Sequence, residues 1–410
     1  MNLDELIKTS AETFWCPEPY MTLEQKTFGN YGVCCRSQPL PYTTLEKTIA
    51  EHFNSSEMQE LRTEMESGVV GKKIGYYCKK CIVHEKSGVF SKRQRRIQRI
   101  RGMLTDPTNS KFIQGLKTTV ETGIVDLSTM GVFSLEFKFF GNLCNLNCLM
   151  CHPLQSSSIA KEWKDNNKWD GPTVINLYKE FTTEQKETFY NEIRALLPNT
   201  LQVKFTGGEP MMNKDLLDLI NFIVKSGYAN NITLRVVTNG TIVPERFTKQ
   251  VKHFKQFICQ VSVDGVWAVN DYQRAGSKFD VIDANIDRYK ALPNTRVSIN
   301  SAITALNCGY VDELYLYAKH KEIDIDLTSV VLTPTYLMPQ VLPTEVKQKY
   351  VKKLLASEHK VKYVNVINAL TDVVTLTPTD QAYQYARLIN RLEEHDNTHN
   401  TNYKDIIKYD

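Results

Sequence analysis

Residues 133–153, FSLEFKFFGNLCNLNCLMCHP, contain the stretch that decides the fold of this chain. Up to Phe139 the stretch alternates apolar side chains with polar or charged ones, which predicts a β-strand with one buried face. A loop with three closely spaced cysteines, Cys144, Cys148 and Cys151, follows at once. A strand that runs directly into a ligand-rich loop predicts a site at the carboxyl end of a sheet.

The spacing of the cysteine triplet favours an iron-sulfur cluster. Three thiolates on one short loop can hold three corners of a 4Fe-4S cube, and the fourth iron then stays open to an external ligand. A structural zinc site usually needs four protein ligands. His152 adjoins Cys151 in the sequence and is therefore poorly placed to complete a tetrahedron with all three thiolates.

The segments that follow alternate between strands and helices in a regular rhythm. Thr182 and Gln185 form a capping-box pattern before one helix, and Asn213 caps another that Gly227 ends. Further strands are predicted at 201–206, 232–238, 257–264, 296–303 and 325–332. Six βα units are too few for an ordinary eight-stranded barrel, so the α/β fold is either an open doubly wound sheet or a partial (β/α)6 TIM-like barrel.

The chain divides into four parts on these patterns. Residues 132–335 form the predicted partial barrel, and 336–410 a charged C-terminal helical extension. Residues 1–105 contain short β-like pieces, turns and five cysteines, which predicts a separate small domain held together by metal. Residues 106–131 are a connector without a clear signal.

Composition indicates a water-soluble, cytoplasmic protein. The 410 residues are 42% hydrophobic and 23% charged, and no run of eighteen apolar residues could span a bilayer. The first residues, MNLDELIKTS, carry acids where a signal peptide needs positive charge. Lys and Arg exceed Asp and Glu by only four, which neither requires nor excludes an anionic partner. Thiols stay reduced in the cytosol, so the ten cysteines are predicted to be metal ligands or buried thiols.

A second motif ends the second strand of the rhythm, at Thr206-Gly207-Gly208-Glu209-Pro210. Paired glycines allow a ligand to approach the backbone, whose amide and carbonyl groups can then bind an ammonium or a carboxylate. Together with the cysteine triplet, this turn resembles the radical S-adenosylmethionine (SAM) superfamily. In that superfamily a GGEP-type turn binds the amino group of the methionine part of SAM.

The resemblance covers about 200 residues and implies a mechanism. SAM would chelate the open iron through its amino and carboxylate groups. An electron from the reduced cluster would cleave the sulfonium bond, and the resulting 5′-deoxyadenosyl radical would abstract hydrogen from a substrate. The resemblance also implies an electron donor such as flavodoxin or ferredoxin.

Further residues match the superfamily one at a time. Relatives place polar groups near the ribose and the methionine carboxylate at the ends of the third and fourth strands, and an arginine that can pair with that carboxylate. The looser matches are Asn300 and Ser301, and Met150 stands where relatives often have an aromatic residue near the adenine. The cofactor-binding set implied in this way comprises Gly207, Gly208, Glu209, Pro210, Thr238, Asn239, Ser262, Asp264 and Arg274.

The N-terminal cysteines suggest a second metal site. The order Cys-x-x-Pro-aromatic, Gly-x-x-x-x-Cys-Cys and Cys-x-x-Cys resembles the SPASM and twitch auxiliary modules of radical SAM enzymes, and twitch-type proteins of tailed phages carry such a module ahead of the barrel. Zinc is the alternative, since four thiolates suit tetrahedral zinc equally well. The resemblance implies that Cys16, Cys34, Cys78 and Cys81 ligate an auxiliary 4Fe-4S cluster and that Cys35 is spare.

The basic run from Lys92 to Arg101, KRQRRIQRIR, has two interpretations. It could bind RNA phosphates or the acids of a leader peptide. The favoured prediction is a solvated helix that docks through Ile97 and Ile100.

The sequence therefore predicts a radical SAM enzyme, with a peptide or protein as the leading substrate class and small sugar- or nucleotide-derived molecules close behind. Nucleic acid is not expected as a partner, and neither is a membrane. The alternative is a non-catalytic, metal-stabilised scaffold that binds RNA or protein. An intact cysteine triplet beside an intact GGEP turn argues against that alternative.

Overall fold

The computed structural model describes residues 2–138 and 140–409, so Phe139, the last residue of the predicted first strand, lies outside the described residues. The chain is mixed α/β with a largely parallel central sheet. The strands are β1 Thr22–Gln25, β2 Asn30–Gly32, β3 Pro39–Thr43, β4 Val132–Phe137, β5 Asn147–Cys148, β6 Thr200–Phe205, β7 Thr233–Thr238, β8 Gln256–Ser262, β9 Arg274–Ala275, β10 Thr295–Asn300 and β11 Asp324–Asp326.

Helices surround this sheet and make up most of the two terminal regions. The α-helices are α1 Leu3–Lys8, α2 Glu18–Met21, α3 Ile49–Phe53, α4 Ser56–Glu66, α5 Lys72–Tyr77, α6 Lys79–Lys86, α7 Lys92–Leu104, α8 Ser110–Thr122, α9 Ser157–Asp165, α10 Leu177–Glu180, α11 Thr183–Leu196, α12 Lys214–Lys225, α13 Glu245–Val251, α14 Ala268–Gln273, α15 Phe279–Lys290, α16 Val311–His320, α17 Thr344–Ala356, α18 Val364–Thr371, α19 Pro378–His399 and α20 Tyr403–Ile406.

The main sheet has nine strands in the order β11-β10-β8-β7-β6-β4-β1-β2-β3. The six strands predicted after residue 131 are β4, β6, β7, β8, β10 and β11, and each pairs in parallel with its neighbour. The caps predicted at Thr182 and Asn213 are confirmed, because each side chain accepts a backbone N–H of the next turn.

The last predicted strand is shorter than expected and ends at Asp326. The Asp326 carboxylate accepts the backbone N–H of Thr328 at 2.8 Å, which turns the chain away from the ladder. Only an isolated bridge between Ile303 and Val330 continues the pairing.

Residues 1–105 differ from the predicted collection of short β-like pieces, because most of them are helical. Two capping boxes explain the difference: Thr48 with Glu51 begins α3, and Ser91 with Gln94 begins α7. The three strands of this region join the central sheet, since β1 pairs in parallel with β4 and β2 pairs with β1. The division of residues 1–105 from the rest of the chain as a separate domain stays a prediction.

The connector at 106–131 is also ordered. It forms α8, whose Phe112, Ile113, Leu116 and Val120 are buried, and Gly123 ends the helix in the left-handed conformation. The region after Thr344 is helical, as predicted. Its longest helix, α19, contacts α14 through His395, whose Nε2 lies 3.2 Å from the carbonyl oxygen of Tyr272.

The central sheet is curved. In a flat sheet, strands β11 and β4 would be about 24 Å apart, at about 4.8 Å per strand interval. Two consecutive residues of α7 nevertheless contact both strands: Arg95 pairs with Asp326 of β11 at 2.7 Å, and Arg96 approaches Glu136 of β4 at 3.8 Å. The sheet therefore curls around α7 and encloses a central space.

Candidate active site

The cysteine loop leaves the carboxyl end of β4 and is anchored by Asn142. The Asn142 side chain is fully buried, donates to the carbonyl oxygens of Pro153 and Thr173, and accepts the N–H of Ile175 at 2.8 Å. An amide with three of its bonds satisfied inside the protein holds both ends of a loop in place. The loop that carries the thiols is consequently fixed before any cofactor binds.

The three predicted cluster thiols lie together. Cys148 sits in β5, and its side chain is hydrogen-bonded to that of Cys151, which lowers the pKa of Cys151 and raises that of Cys148. Cys144 interacts electrostatically with both, and burial raises its pKa to about 11. All three are free cysteines. Among residues 2–138 and 140–409, no group of three or more His, Cys, Asp or Glu side chains stands in metal-ligand geometry.

His152 lies apart from this thiol group, as its position in the sequence suggested. Its ring makes edge contacts with Trp163 and Trp169, at centroid distances of 5.7 and 5.6 Å. Burial lowers the pKa of His152. Met150, the residue before the third cysteine, packs against the core.

The glycine turn after β6 packs directly on the cysteine loop. The N–H of Glu209 donates to the carbonyl oxygen of Leu143 at 2.6 Å. Gly208 has φ +53, and a Cβ at this position would lie 2.4 Å from that same oxygen. Only glycine allows the two loops to approach so closely. The two sequence motifs therefore form one local structure.

The Glu209 carboxylate is buried and bonded to the protein itself. It accepts hydrogen bonds from the Thr238 hydroxyl at 2.8 Å, from the N–H of Asn239 at 2.6 Å and from the N–H of Met211 at 2.9 Å. Burial raises the pKa of Glu209, although these donors lower it in part. Glu209 thus ties the glycine turn to the end of β7, while Pro210 begins a short 3-10 helix behind it.

Asn239 extends this connection to the thiols. Its Nδ2 donates to Asn145 Oδ1 at 2.8 Å and lies 4.0 Å from Cys144 Sγ. A weak N–H···S contact of this kind would stabilise a thiolate more than a thiol. Of the residues predicted at the end of the third strand, Asn239 therefore lies beside a thiol, and Thr238 is connected to it through Glu209.

Asp264 and Arg274 form a buried ion pair beside Cys148. The Arg274 Nε lies 2.8 Å from Asp264 Oδ2, and its Nη1 lies 3.8 Å from Cys148 Sγ. Residues Asn147–Cys148 pair in an antiparallel bridge with Arg274–Ala275, which brings the two segments together. Burial would lower the pKa of Arg274, but Asp264 keeps it well above the usual value. Arg274 is thus a charged donor at the edge of the thiol group.

The remaining predicted polar residues lie at neighbouring strand ends. Ser262 is the last residue of β8 and stands in register with Asn300 of β10. The Ser301 hydroxyl faces Asp264 at 3.5 Å, and the N–H of Ala302 donates to the same oxygen at 2.7 Å. Ser301 therefore supports Asp264 and is itself fully buried.

The four N-terminal thiols of Cys16, Cys34, Cys78 and Cys81 line one small, largely apolar cavity. The cavity leaves about 20 Å³ for the centre of a water molecule. Burial raises the pKa of all four thiols, and each one interacts electrostatically with at least one other. The structure thus brings together the set that the sequence pattern selected.

Cys35 points away from this cavity. Its Sγ accepts a hydrogen bond from Lys92 Nζ at 3.0 Å and lines the central space of the sheet instead. Burial alone would raise the pKa of Cys35, but Lys92, together with Lys204 and Lys138, lowers it to about 6. The two cysteines lie in a turn, closed by the N–H of Ser37 donating to the carbonyl oxygen of Cys34 at 3.1 Å, and within this turn only Cys34 joins the other thiols.

The prediction of a solvated basic helix is correct for one face of α7 and wrong for the other. Ile97 and Ile100 are buried, as predicted, but Arg93 and Arg96 are buried too, at 4% and 8% exposure. Arg96 pairs with Glu18 at 2.7 Å, and Lys92 contacts the same carboxylate at 3.1 Å. Lys92 and Arg96 face the interior because α2 and the curved sheet offer carboxylates there, whereas Arg99 and Arg101 are exposed.

The central space is a cavity of about 660 Å³ that extends between the two cysteine regions. Gln155 and Thr206 line it near the cysteine triplet, and Cys35 and Lys80 line it near the N-terminal thiols. Sequence reasoning missed the inward-facing cations of the strands, Lys204 and Arg235. Their signal was a single charge in the middle of an otherwise apolar strand, in LQVKFT and ITLRVVT.

A parallel α/β sheet with grouped thiols at its carboxyl end is the arrangement expected of a radical SAM protein, and the comparisons with known proteins agree with this expectation. The model of the radical SAM superfamily matches residues 139–304 and supports membership of that superfamily. The described helices include none with the length and apolar character needed to cross a membrane.

Two curated relatives are enzymes. The chain is 27% identical to a GTP 3′,8-cyclase of Campylobacter jejuni over 44% of this chain and 51% of the relative. It is 28% identical to the Fe-coproporphyrin III synthase of Methanosarcina barkeri over 31% of this chain and 26% of the relative. The chain thus spans about half the length, or less, of these curated relatives. The family match and the enzyme relatives support an enzyme.

Solved structures were also matched. Streptococcus suis SuiB bound to S-adenosylmethionine is 13% identical, with coverage of 82% of this chain and 69% of that chain and a TM-score of 0.39. An AdoMet-bound structure of anSMEcpe is 19% identical, with coverage of 54% and 60% and a TM-score of 0.38.

Proposed function

We propose that this protein is a radical SAM enzyme that reductively cleaves SAM at a 4Fe-4S cluster held by Cys144, Cys148 and Cys151. The observation that carries the proposal is the grouping of these thiols against the Gly207-Gly208 turn and the Asp264–Arg274 pair. When bound, a reduced cluster supplies the electron that cleaves SAM to methionine and a 5′-deoxyadenosyl radical, which abstracts hydrogen from the substrate.

The residue types of the donor set suit such a cluster, although the described thiols do not stand in ligand geometry without it. Three thiols on one anchored loop would leave one iron of a 4Fe-4S cluster without a protein ligand. Arg274 and the amide of Asn239 approach two of the sulfur atoms and would offset the negative charge of thiolate ligands. Donors of this kind stabilise thiolates that are buried away from water.

The other residues would bind and orient SAM. The backbone of the Gly207-Gly208 turn is open to a ligand amino group, and Glu209 and Pro210 hold the turn in place. Arg274 would pair with the methionine carboxylate. Thr238, Asn239, Ser262 and Asp264 complete the surroundings of the ribose and the methionine part. The enclosing sheet and α7 would exclude water from the radical.

We further propose that residues 1–105 act as a twitch- or SPASM-like module of the tailed-phage type, with an auxiliary 4Fe-4S cluster on Cys16, Cys34, Cys78 and Cys81. Four thiols around one buried cavity support a metal, and nearby Arg36, Lys92 and Arg93 would offset its charge. Zinc satisfies the same four thiolates. A flavodoxin or ferredoxin as electron donor, and a peptide or protein as substrate, stay predictions.

Anaerobic reconstitution tests the proposed activity. The protein with iron and sulfide restored is mixed with SAM and dithionite, and 5′-deoxyadenosine is measured. We expect release by the unchanged protein and by Cys308→Ala, whose buried thiol lies outside both thiol groups, and none by Cys148→Ala. Formation of 5′-deoxyadenosine by Cys148→Ala at the unchanged rate would refute the proposal, and a non-catalytic scaffold would release none in any variant.

A further inference from the structure

We propose that the central cavity binds, as the substrate of the proposed radical SAM reaction, a small molecule that carries two or more phosphate groups. The inference rests on the proposed function for the chemistry, but the binding site itself stands on the charges and partners of the residues that line the cavity.

The cavity is far more basic than the protein. The whole chain carries a formal net charge of only +4. The lining nevertheless contains nine lysines and arginines against the two carboxylates Glu136 and Asp326. Glu18 and Glu24 also reach these cations from outside the lining, yet cations still outnumber carboxylates by nine to four. The positive charge is therefore concentrated in this one space. The nine cations are Arg36, Lys80, Lys92, Arg95, Arg96, Arg99, Lys138, Lys204 and Arg235.

Part of this charge is neutralised by the protein. Lys204 pairs with Glu136 at 2.9 Å and Lys138 with Glu24 at 3.4 Å. Arg95 pairs with Asp326 at 2.7 Å. Ion pairs within the protein therefore account for these three cations of the lining.

Four lining cations, by contrast, have no carboxylate within 4.0 Å among the residues that the structure describes: Arg36, Lys80, Arg99 and Arg235. Arg36 donates to the Ser329 hydroxyl at 3.1 Å, which is a neutral partner. Within residues 2–138 and 140–409, the cavity thus presents several guanidinium and ammonium groups that form no ion pair.

Arg99 and Arg235 illustrate most clearly the repulsion between neighbouring positive charges in the cavity. Arg99 rests on the Phe133 ring at 4.6 Å, and the buried Nε of Arg235 has no hydrogen-bond partner in the part of the chain that the structure describes. Desolvation and the neighbouring charges of Arg96 and Arg235 lower the pKa of Arg99 to about 9, although part of its side chain is exposed to solvent. Desolvation also lowers the pKa of Arg235, which is half-buried. Like charges held this close together are unfavourable unless a ligand anion joins them.

The chemistry of these groups favours phosphate. Guanidinium forks bind phosphate oxygens in pairs, and a polyphosphate spreads several charges over a distance that separate arginines can share. A cavity of about 660 Å³ has the size of a small-molecule site. Gln155 and Thr206 place its other end beside the cysteine triplet and the glycine turn. A phosphorylated molecule anchored at Arg99 and Arg235 would thus extend its carbon skeleton toward the radical.

Binding is tested on the reconstituted, full-length protein by calorimetry, with inorganic tripolyphosphate, ATP and GTP as probes. Arms with glutamate-rich peptide and a single-stranded oligonucleotide test the other anionic ligands. We expect at least one triphosphate probe to bind, with an affinity that falls as salt increases. Arg99→Gln and Arg235→Gln should each weaken binding at least tenfold. Lys249→Gln removes an exposed cation that pairs with Glu245 at 2.7 Å on the surface, and it should leave binding unchanged.

The outcomes separate this inference from the proposed function. If the protein releases 5′-deoxyadenosine from SAM but binds no triphosphate, or binds the peptide or the oligonucleotide more tightly, the phosphate inference is wrong and the activity stands. If triphosphates bind in an Arg99- and Arg235-dependent manner but SAM is not cleaved, the proposed function fails while the anion site stands. Circular dichroism and thermal unfolding check that each variant is folded.

Discussion

Arg274 Nε lies 2.8 Å from Asp264 Oδ2, and the same guanidinium reaches to within 3.8 Å of Cys148 Sγ. Both residues follow β8 in the chain, Asp264 just after the strand and Arg274 at the start of β9, and both are buried. A charge pair in such a place is retained only if each partner is satisfied, since an unpaired buried charge is very costly.

Asp264→Asn should therefore destabilise the protein by about 3–5 kcal/mol, because it leaves the Arg274 charge buried without its partner. Urea unfolding at pH 7.5 measures the change. Arg296→Gln serves as the control, since the Arg296–Asp324 pair is exposed and contributes little. Equal effects of the two substitutions would show that the buried pair is not what stabilises this region.

Cys34 and Cys35 should differ in iron binding. Cys34 shares the small cavity with Cys16, Cys78 and Cys81, whereas Cys35 contacts Lys92 in the central space. After anaerobic reconstitution, Cys34→Ser should lose about four irons per chain, and Cys35→Ser none. Iron, sulfide and zinc analysis measures this. Loss of iron from Cys35→Ser alone would reverse the assignment, and zinc in place of iron would leave a structural metal at the site.

Gly208 and Gly227 form a matched pair for testing the turn. Both have positive φ, but a Cβ at Gly208 would meet the Leu143 carbonyl oxygen at 2.4 Å, while a Cβ at Gly227 would have no described atom of a non-adjacent residue within 4 Å. Each substitution by Ala should cost about 1–2 kcal/mol for the left-handed backbone. Gly208→Ala should in addition separate the turn from the cysteine loop and abolish 5′-deoxyadenosine release. Normal release by Gly208→Ala would show that the close approach is not needed.

His52 should make stability depend on pH. It stacks on Tyr31 at 4.2 Å, and burial lowers its pKa to about 3. Because the folded protein keeps this imidazole neutral while the unfolded chain binds a proton below about pH 6.5, stability falls as pH falls. Between pH 7.5 and 5.5 the loss from this residue is about 1.4 kcal/mol.

Replacement His52→Phe keeps a ring against Tyr31 and should remove this part of the pH dependence, even if it lowers stability at pH 7.5. Urea unfolding at both pH values provides the comparison. His253→Gln, at an exposed position, should leave the dependence as it is. An unchanged slope in His52→Phe would mean that this imidazole binds protons equally in the folded and the unfolded protein.

Much of the barrel could be predicted from local patterns. The alternation before Cys144, the capping box at Thr182 and the Asn213 cap report interactions between residues a few positions apart, so they are visible in the sequence. The grouping of the triplet with the glycine turn could also be predicted, because parallel strands end at the same edge of a sheet. The amino-acid order alone thus determined the strand rhythm and the place of the candidate site.

Tertiary structure decided what depends on direction and on distant partners. Cys34 and Cys35 are neighbours in the chain, and only packing shows that one faces the thiol cavity and the other Lys92. The sequence alone favoured a solvent-exposed position for the charges of α7. In the folded chain, Glu18 of α2 and the sheet residues Glu136 and Asp326 pair with some of them instead. The energy of a charge depends on what surrounds it, and those surroundings come from residues far away in the sequence.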